Sequence, residues 1–353
     1  MGMTMKEIAE LAGVTRFSVS AVLGNSKSTR VSAKTRKKIL RLAEKYDFVP
    51  NLAARQLKGV SSNLIGLISV PSHLGLVAVL QAEVITTLQS RGLEVITAHL
   101  TPDANQKRVI NDLRARCVNG IIGVNMADRM IQSENDTIPM VYCSHVSRSG
   151  FDVGCDIALG GYLAAKHLLG HGRKKLVYIG FEVSNSNRLK YAGVCNALKE
   201  TGMKPSKDNL LIDESGNSKE ILSQLRKRRA DALVCCNDFA AAEMLKVLLR
   251  NGINVPDDLA ITGFDGYSFC KYTPVTLATV VQPISRQAQC AVELLLKRID
   301  ARKSPEKFSN IKLPPVFQPG GSCGCAESED DAMPVDHYIL FDEANNDVHR
   351  RNA

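Results

Sequence analysis

The spacing of apolar residues near the start of the chain predicts short helices. Thr4 and Glu7 fit a capping box, in which a hydroxyl and a carboxylate satisfy free amides at a helix start. A helix should therefore begin at Met5, and Gly13 is a good left-handed terminator for it. Its apolar face would be Ile8, Ala9, Leu11 and Ala12.

A second helix over 16–23 is predicted after Thr15 as cap, and the glycine turn between the two helices gives a helix-turn-helix plan. Its inward residues would be Val19, Val22 and Leu23. Its outward residues would be Arg16, Phe17, Ser18, Ser20 and Ala21. A third, basic helix starts after Ser32, with an inward row of Ile39, Leu42, Ala43 and Tyr46.

From Leu64 onward the pattern changes to short apolar runs that alternate with helical stretches. The first set of runs covers 64–70, 94–97, 120–124 and 140–143, and a second set covers 175–180, 232–236 and 259–264. Continuous apolar strands between helices are typical of parallel sheets covered on both faces. Two sets predict two doubly wound lobes, with a ligand beyond the carboxyl ends of the strands, in the cleft between them.

Charge is distributed unevenly along this chain of 353 residues. Residues 1–60 hold twelve Lys or Arg and four Asp or Glu, a balance of +8 out of a net charge of +9. A compact basic module before a near-neutral body is expected of a part that meets polyphosphate, the alternative being a solvated basic face.

The ten cysteines are scattered, several within apolar runs, which favours buried thiols in a reducing compartment over disulfides. The N-terminus has no apolar signal region, and no run is long enough to span a membrane. A cytoplasmic protein without a membrane partner is expected.

Four segments together resemble the DNA-binding headpiece of the lac/gal repressor family of bacterial transcription regulators. They are 8–15 (IAELAGVT), 19–20 (VS), 31–36 (VSAKTR) and 46–57 (YDFVPNLAARQL). The resemblance implies that the second helix lies in the major groove, with Arg16, Phe17 and Ala21 facing base edges. Arg16 would read guanine, whereas Phe17 would contact a thymine methyl or, alternatively, pack inward onto the third helix.

The other DNA contacts implied by the resemblance fall on helix starts and on a hinge. Candidates for phosphate contacts are Thr15, Ser18, Ser20, Asn25, Ala33, Lys34 and Thr35, and Thr4 is counted among the DNA-binding residues. A short helix over 51–59 would fold only on DNA. There Leu57 would wedge between base pairs beside Ala53 in the minor groove, or alternatively Leu57 would be a linker residue docked on the core.

The remainder resembles the family's periplasmic-binding-protein-like core at 161–168, 237–238, 263–266 and 276–283. By this match Asn237, Asp265 and Gln282 would contact an effector, although each could instead cap a helix, hold a turn or lie in a loop. Relatives carry an arginine clamp where this chain has Lys190, with Arg188 nearby. Ser72 and His73 stand where many relatives place aromatic residues, so sugar stacking has little support.

The residues contain no catalytic constellation, phosphate-binding loop or serine triad, so no enzyme and no cofactor is expected. Cys323 and Cys325 with His337 have the wrong spacing and ligand count for a closed zinc site, so no metal is expected. Residues 326–353 carry eight acidic residues against two arginines and form an acidic tail expected to be mobile.

The expected fold class is α/β, with an all-α helix-turn-helix headpiece (1–60, including the hinge at 51–59) and a two-lobed core of doubly wound parallel sheets (61–325). The resemblance implies a regulator, expected to be a repressor, that binds a double-stranded, pseudo-palindromic operator as a homodimer, with tetramers left open. A sugar or related metabolite would act as small-molecule effector in the cleft. The alternative is a core that serves only for dimerisation or protein docking, without an effector.

Overall fold

The computed structural model describes most of the chain and divides it into two compact units. The described residues are 3–24, 31–48, 62–70, 75–101, 106–125, 138–144, 152–180, 183–212, 217–301 and 310–326. Those up to Ser62 form one unit and those from Asn63 onward form the other. Among the described residues no helix is long and apolar enough to cross a membrane.

The first unit contains helices α1 (Met5–Ala12), α2 (Arg16–Leu23) and α3 (Ala33–Lys45). The predicted caps are confirmed, since Thr4 and Glu7 form the capping box and Thr15 caps α2. Helix α3 starts after Ser32 as predicted, and the structure shows that Ser32 is its cap. Gly13 ends α1 in the left-handed conformation, with φ of 71°. The core of this unit is Ile8, Ala9, Ala12, Val19, Val22, Ile39 and Ala43, all buried.

Two inward assignments in this unit are wrong. Leu11 is 48% exposed and Tyr46 is 39% exposed. Helix α3 ends at Lys45, so Tyr46 lies beyond its last turn. Phe48 packs against the core there instead, because its amide donates to the Ala43 carbonyl at 2.8 Å and turns the chain back.

The second unit contains a six-stranded parallel sheet, which together with its helices is here called the first lobe. Its strands are β1 (Leu64–Ser69), β2 (Glu94–His99), β3 (Gly120–Val124), β4 (Met140–Ser144), β5 (Val153–Cys155) and β11 (Ile311–Leu313). Their order is β11-β5-β4-β3-β1-β2, with Ile65 of β1 paired to Val95 and Gly120 on its two sides. Helices α4 (Leu76–Ser90), α5 (Gln106–Ala115) and α10 (Ile284–Asp300) accompany this sheet.

The second lobe has a four-stranded parallel sheet in the order β7-β6-β8-β9. These strands are β6 (Leu176–Gly180), β7 (Leu210–Ile212), β8 (Ala232–Cys235) and β9 (Ala260–Thr262). Its helices are α6 (Ile157–Gly170), α7 (Asn185–Glu200), α8 (Ser218–Arg228) and α9 (Asp238–Arg250). An antiparallel pair, β10 (Thr279–Val281) and β12 (Val316–Gln318), contacts α6, and two isolated bridges connect the segment around β9 to the segment around β10. The expected architecture of two doubly wound lobes is confirmed.

The chain passes between the lobes after β5, after β10 and after β11. The strands at these passages are short, and the hydrophobic pattern of the sequence did not predict them. It did not predict β7 of the second lobe either, which is equally short. The strands β5, β7, β10, β11 and β12 have only three residues each. So short a run carries no periodicity.

Helices α6 and α7 approach each other more closely than side chains would permit. A Cβ on Gly161 would lie 2.1 Å from the Lys190 carbonyl oxygen, and one on Gly193 would lie 1.9 Å from that of Ala158. Both glycines are therefore required by backbone contact. This close approach sets the position of Lys190 on α7.

Candidate nucleic-acid interface and effector site

The outward face of α2 is exposed, whereas its inward face is buried. Val19 and Val22 are buried, while Arg16 and Phe17 are exposed and Ala21 is half-buried. The Phe17 side chain is 75% exposed, so its alternative assignment as a residue packed onto α3 is wrong. Residues 16, 17, 20 and 21 share one face because side chains one helical turn apart lie side by side. This face therefore presents a cation and an aromatic ring to whatever binds the first unit.

The predicted phosphate contacts lie at helix starts, where free backbone amides and the helix dipole favour an anion. The Thr15 and Ser18 hydroxyls are 3.0 Å apart, and those of Ser32 and Thr35 are 2.9 Å apart. Among the remaining candidates that the structure describes, Ser20 and Thr35 are half-buried and Ala33 and Lys34 are exposed. All of these positions are accessible in the first unit.

Thr4 is engaged inside its own capping box. Its hydroxyl donates to the Glu7 carboxylate at 2.8 Å and its amide donates to the same oxygen at 2.6 Å. These bonds hold the pKa of Glu7 below its usual value. Asn25, Ala53 and Leu57 lie outside the described residues.

In the second lobe, three of the predicted effector residues come together. Gln282 donates from Nε2 to the Asp265 carboxylate at 2.9 Å. Burial raises the pKa of this carboxyl, and the charge of Lys190 opposes that rise. They lie after β9 and β10 and on α7, so elements distant in sequence meet at the carboxyl-end edge of the sheet, where doubly wound folds bind ligands.

Asp265 has an unusual backbone and an unusual carboxyl group. Its φ is 119°, a positive value that a residue with a side chain rarely adopts. Burial raises the pKa of its carboxyl, opposed by the charge of Lys190 and the hydrogen bond from Gln282. Strain of this kind persists only where the surroundings enforce it and is common at binding sites.

Gln282 has an unsatisfied acceptor at this cluster. The residue is 1% exposed, and its Oε1 atom is buried without a hydrogen-bond partner among the described residues. Leaving such an atom unpaired costs about 1–3 kcal/mol. A ligand that donates a hydrogen bond would remove this cost.

Lys190 is more enclosed than a clamp is expected to be. Its ammonium is buried, donates to the Cys236 carbonyl at 2.6 Å and lies 3.9 Å from the centre of the Phe264 ring. Asn237 caps α9 by accepting from the Ala240 amide at 2.7 Å, and Arg188 is exposed on α7. Ser72 and His73 lie outside the described residues.

Sequence reasoning missed the role of Asp238, the first residue of α9. The carboxylate is buried and accepts from the amides of Gly266 and Tyr267, both at 2.8 Å, and from the Thr279 hydroxyl at 2.5 Å. It therefore anchors the loop that carries Asp265 to strand β10. Burial, reinforced by the charge of Asp265, raises the pKa of Asp238 to about 7.

The first lobe has polar side chains at the matching edge of its own sheet, which sequence reasoning also missed. Ser69 ends β1 with its hydroxyl 3.3 Å from His99 Nδ1 at the end of β2. Ser144 ends β4 and donates to Asn125 at 3.0 Å. Gln287 on α10 donates to the Ser144 carbonyl at 2.9 Å, and its Oε1 also lacks a partner among the described residues.

The two lobes approach each other near these edges, because a Cβ on Gly75, just before α4, would lie 3.4 Å from the Tyr267 hydroxyl of the second lobe. Cys155, the last residue of β5, has its pKa raised to about 12, first by burial and then by Asp156. Smaller effects on Cys155 come from Lys190, which lowers its pKa, and Asp265, which raises it. Charges of the second lobe thus act directly on a strand end of the first. Polar side chains, several of them hydrogen-bond acceptors, thus lie at the carboxyl-end edges of both sheets.

Two family models match the chain. The model of bacterial regulatory proteins of the lacI family matches residues 4–51, and that of the periplasmic binding protein-like domain matches residues 165–323. These matches cover the helix-turn-helix and most of the second lobe.

Curated relatives match over nearly the whole length. The HTH-type transcriptional regulator DegA of Bacillus subtilis is 30% identical over 302 residues, which span 80% of this chain and 88% of DegA. The ribose operon repressor of Haemophilus influenzae is 29% identical over 327 residues, which span 89% of this chain and 96% of that repressor.

A crystal structure of the lac repressor dimer bound to operator and the anti-inducer ONPF has the same fold. It superimposes with a TM-score of 0.77 at 22% identity, covering 92% of this chain and 99% of the repressor chain. The chain belongs to the lacI family of bacterial regulatory proteins. It is a DNA-binding transcription regulator with an effector-binding type of core, and it is not an enzyme.

Proposed function

We propose that this regulator is a cytoplasmic repressor that binds a pseudo-palindromic operator as a homodimer. The headpiece would comprise residues 1–60, the core residues 61–325 and the acidic tail residues 326–353. The observation that carries the DNA-binding mode is the exposed face of α2, with Arg16 and Phe17 projecting from a helix whose other side is buried. In a dimer, two such helices would enter successive major grooves, with half-sites about ten base pairs apart.

The proposed contacts divide into base reading and positioning. Arg16, Phe17 and Ala21 read base edges, and the helix starts at Thr15 and Lys34 bind phosphates. Ala53 and Leu57 of the hinge enter the minor groove, where the cost of unstacking bases is repaid by the extra surface that the bent DNA contacts. Leu57→Ala should then weaken operator binding.

A mobility-shift titration on a fragment of the gene's own upstream region tests this mode. Arg16→Ala should weaken binding about 5- to 150-fold, from the 1–3 kcal/mol of a bidentate guanine contact. Arg41→Ala is the matched control, because Arg41 is an equally charged, exposed residue two turns along α3. Equal losses in both variants would mean that only overall charge matters and would contradict base reading by α2.

For the core we propose a small, hydroxyl-rich effector such as a sugar or related metabolite. The supporting observation is the unpaired Oε1 of Gln282 beside the Asp265 carboxylate, since both groups accept hydrogen bonds from hydroxyls. The ribose operon repressor among the relatives is named for a sugar operon. Asn237, Lys190 and Arg188 border the site, and the proposal extends to Ser72 and His73 in the first lobe.

Binding of the effector would change lobe closure and thereby operator affinity. A thermal-shift screen of sugars and metabolites, followed by calorimetry on each hit, tests this. Asp265→Asn and Gln282→Met should each abolish or strongly weaken binding of the hit. Lys246→Ala is the control, because Lys246 lies on the exposed surface of α9, and this variant should bind the hit as the wild type does.

The alternative is a core without an effector, used for dimerisation or protein docking. The internal bonding of Lys190 to Cys236 and Phe264 favours it, because this cation already has partners. An empty screen, together with normal regulation by Asp265→Asn protein, would establish the alternative and refute effector binding at this edge.

A further inference from the structure

Four side chains with soft or borderline metal-binding atoms meet in the second lobe, away from Lys190, Asp265 and Gln282. They are His167 and His171 at the end of α6, and Cys323 and Cys325 in and just after the 3-10 turn that follows β12. Their ligand atoms all lie within 4.8 Å of one another. Along the sequence, the histidine near the two cysteines is His337, which lies outside the described residues. In the structure, the histidines beside the cysteines are instead His167 and His171, from about 150 residues earlier in the chain.

Three of the six distances between these ligand atoms are close to those around a tetrahedral ion, and all six are within 4.8 Å. The Nε2 atom of His167 is 3.2 Å from Cys323 Sγ and 3.5 Å from Cys325 Sγ, and His171 Nε2 is 3.4 Å from Cys325 Sγ. Zinc bonds of about 2.0–2.3 Å to nitrogen and sulfur at tetrahedral angles separate neighbouring ligand atoms by roughly 3.3–3.8 Å. The observed spacings lie close to that range.

Local structure presents all four groups to one point. His167 and His171 are one helical turn apart, so their rings share a face of α6. Between the two cysteines, Gly324 has φ of 96°, which turns the chain so that both thiols approach the His167 ring. His167 is further held by its ring contact with Phe317 of β12, with centroids 4.3 Å apart.

We propose that these residues form a Cys2His2 site for a divalent ion of the zinc class. Two thiolates balance the charge of such an ion, and a closed set of four protein ligands is typical of a structural site. On binding, both cysteine thiols would release their protons to solvent, and Cys323 would exchange its hydrogen bond to the Gly320 carbonyl, now 3.0 Å long, for the metal bond. The ion would join the segment after β12 to α6 within the second lobe.

Metal analysis of the full-length chain tests the site. Protein purified under reducing conditions, loaded with zinc and freed of unbound metal should retain a single zinc ion per chain. Cys325→Ser and His171→Gln should lose it, and both residues are accessible enough to be changed without disturbing the core. Cys117→Ser and His99→Gln are the matched controls, since these exposed residues lie outside the cluster, and they should retain the metal.

Cobalt substitution gives a readout of geometry. The wild-type protein should show thiolate-to-cobalt charge-transfer absorption and the strong visible bands of tetrahedral cobalt, and Cys325→Ser should weaken both. Zinc should also raise the melting temperature of the wild type but not of His171→Gln. The proposal is overturned if the wild-type protein lacks stoichiometric zinc or if the Cys325→Ser variant retains as much zinc as the wild type. It is also overturned if Cys323 and Cys325 form a disulfide and the protein binds no metal once that disulfide has been reduced. These results would leave the proposed DNA and effector binding untouched.

Discussion

The buried carboxyl of Asp238 predicts an unusual dependence of stability on pH. Its pKa is about 7 in the folded protein, against 3.8 for the free side chain. The folded state therefore holds a proton between about pH 4 and pH 7 that the unfolded chain has released. The stability contributed by this group is fully present below pH 4 and is lost as the pH rises to about 7.

The size of the effect follows from the pKa difference. A shift of about three units at 1.36 kcal/mol per unit sets a ceiling of roughly 4 kcal/mol on the loss across that range. Asp238→Asn removes the titration but keeps the geometry. The amide oxygen can accept from the Gly266 and Tyr267 amides, and its NH2 group can donate to the Thr279 hydroxyl.

Urea unfolding followed by circular dichroism between pH 4 and pH 8 measures the effect, since the chain has no tryptophan to report by fluorescence. The stability of Asp238→Asn relative to wild type should rise steadily with pH up to about 7 and then level off. Asp257→Asn, at an exposed surface site, is the control and should give a flat difference. A flat difference for Asp238→Asn as well would refute the reasoning, because it would mean that folding leaves this carboxyl's proton affinity unchanged.

Three further substitutions test how the fold is held. Gly193→Ala should destabilise the core by about 3 kcal/mol or more in thermal melts, because the added Cβ would lie 1.9 Å from the Ala158 carbonyl oxygen. Gly170→Ala is the control and should be neutral or stabilising, because a Cβ there would have no atom within 4 Å. Ser32→Ala should cost the headpiece about 1 kcal/mol and Ser32→Asp close to none, as measured by hydrogen exchange in α3; equal losses would contradict the cap. Arg298→Ala should lower the free energy of unfolding by about 1.5–3 kcal/mol, because it removes the cation that lies 3.0 Å from the half-buried Asp152 carboxylate. An unchanged urea midpoint would contradict this.

Much of the headpiece could be predicted because its signals are local. The caps at Thr4, Thr15 and Ser32 act on amides two or three residues away, and the buried face of α2 follows from helical spacing. The errors at Leu11 and Tyr46 lie at the margin and the end of helices, where a turn beyond the helix decides burial. In the core, continuous apolar runs identified the long strands but not those of three residues.

Part of the candidate site around Asp265 could be predicted from the sequence. Asp265 and Gln282 were found by resemblance, and the structure joins them by a hydrogen bond. Neither the burial of Lys190 against Phe264 nor the anchoring role of Asp238 could be predicted, because both depend on how α7, α9 and β10 converge. Residues on three different elements have no fixed spacing in sequence.

The sequence by itself determined the family, the two-part organisation and the parallel strand-helix rhythm, since each depends on patterns within a few turns or on matched motifs. Only the tertiary structure decided which polar groups lie at the same edge of a sheet and which of them are buried away from solvent. It also brought His167 to Cys323, 156 residues further along the chain. The physical reason is that hydrophobic periodicity specifies which face of an element is buried, whereas the partner across that face is specified by sheet order and helix packing over the whole fold.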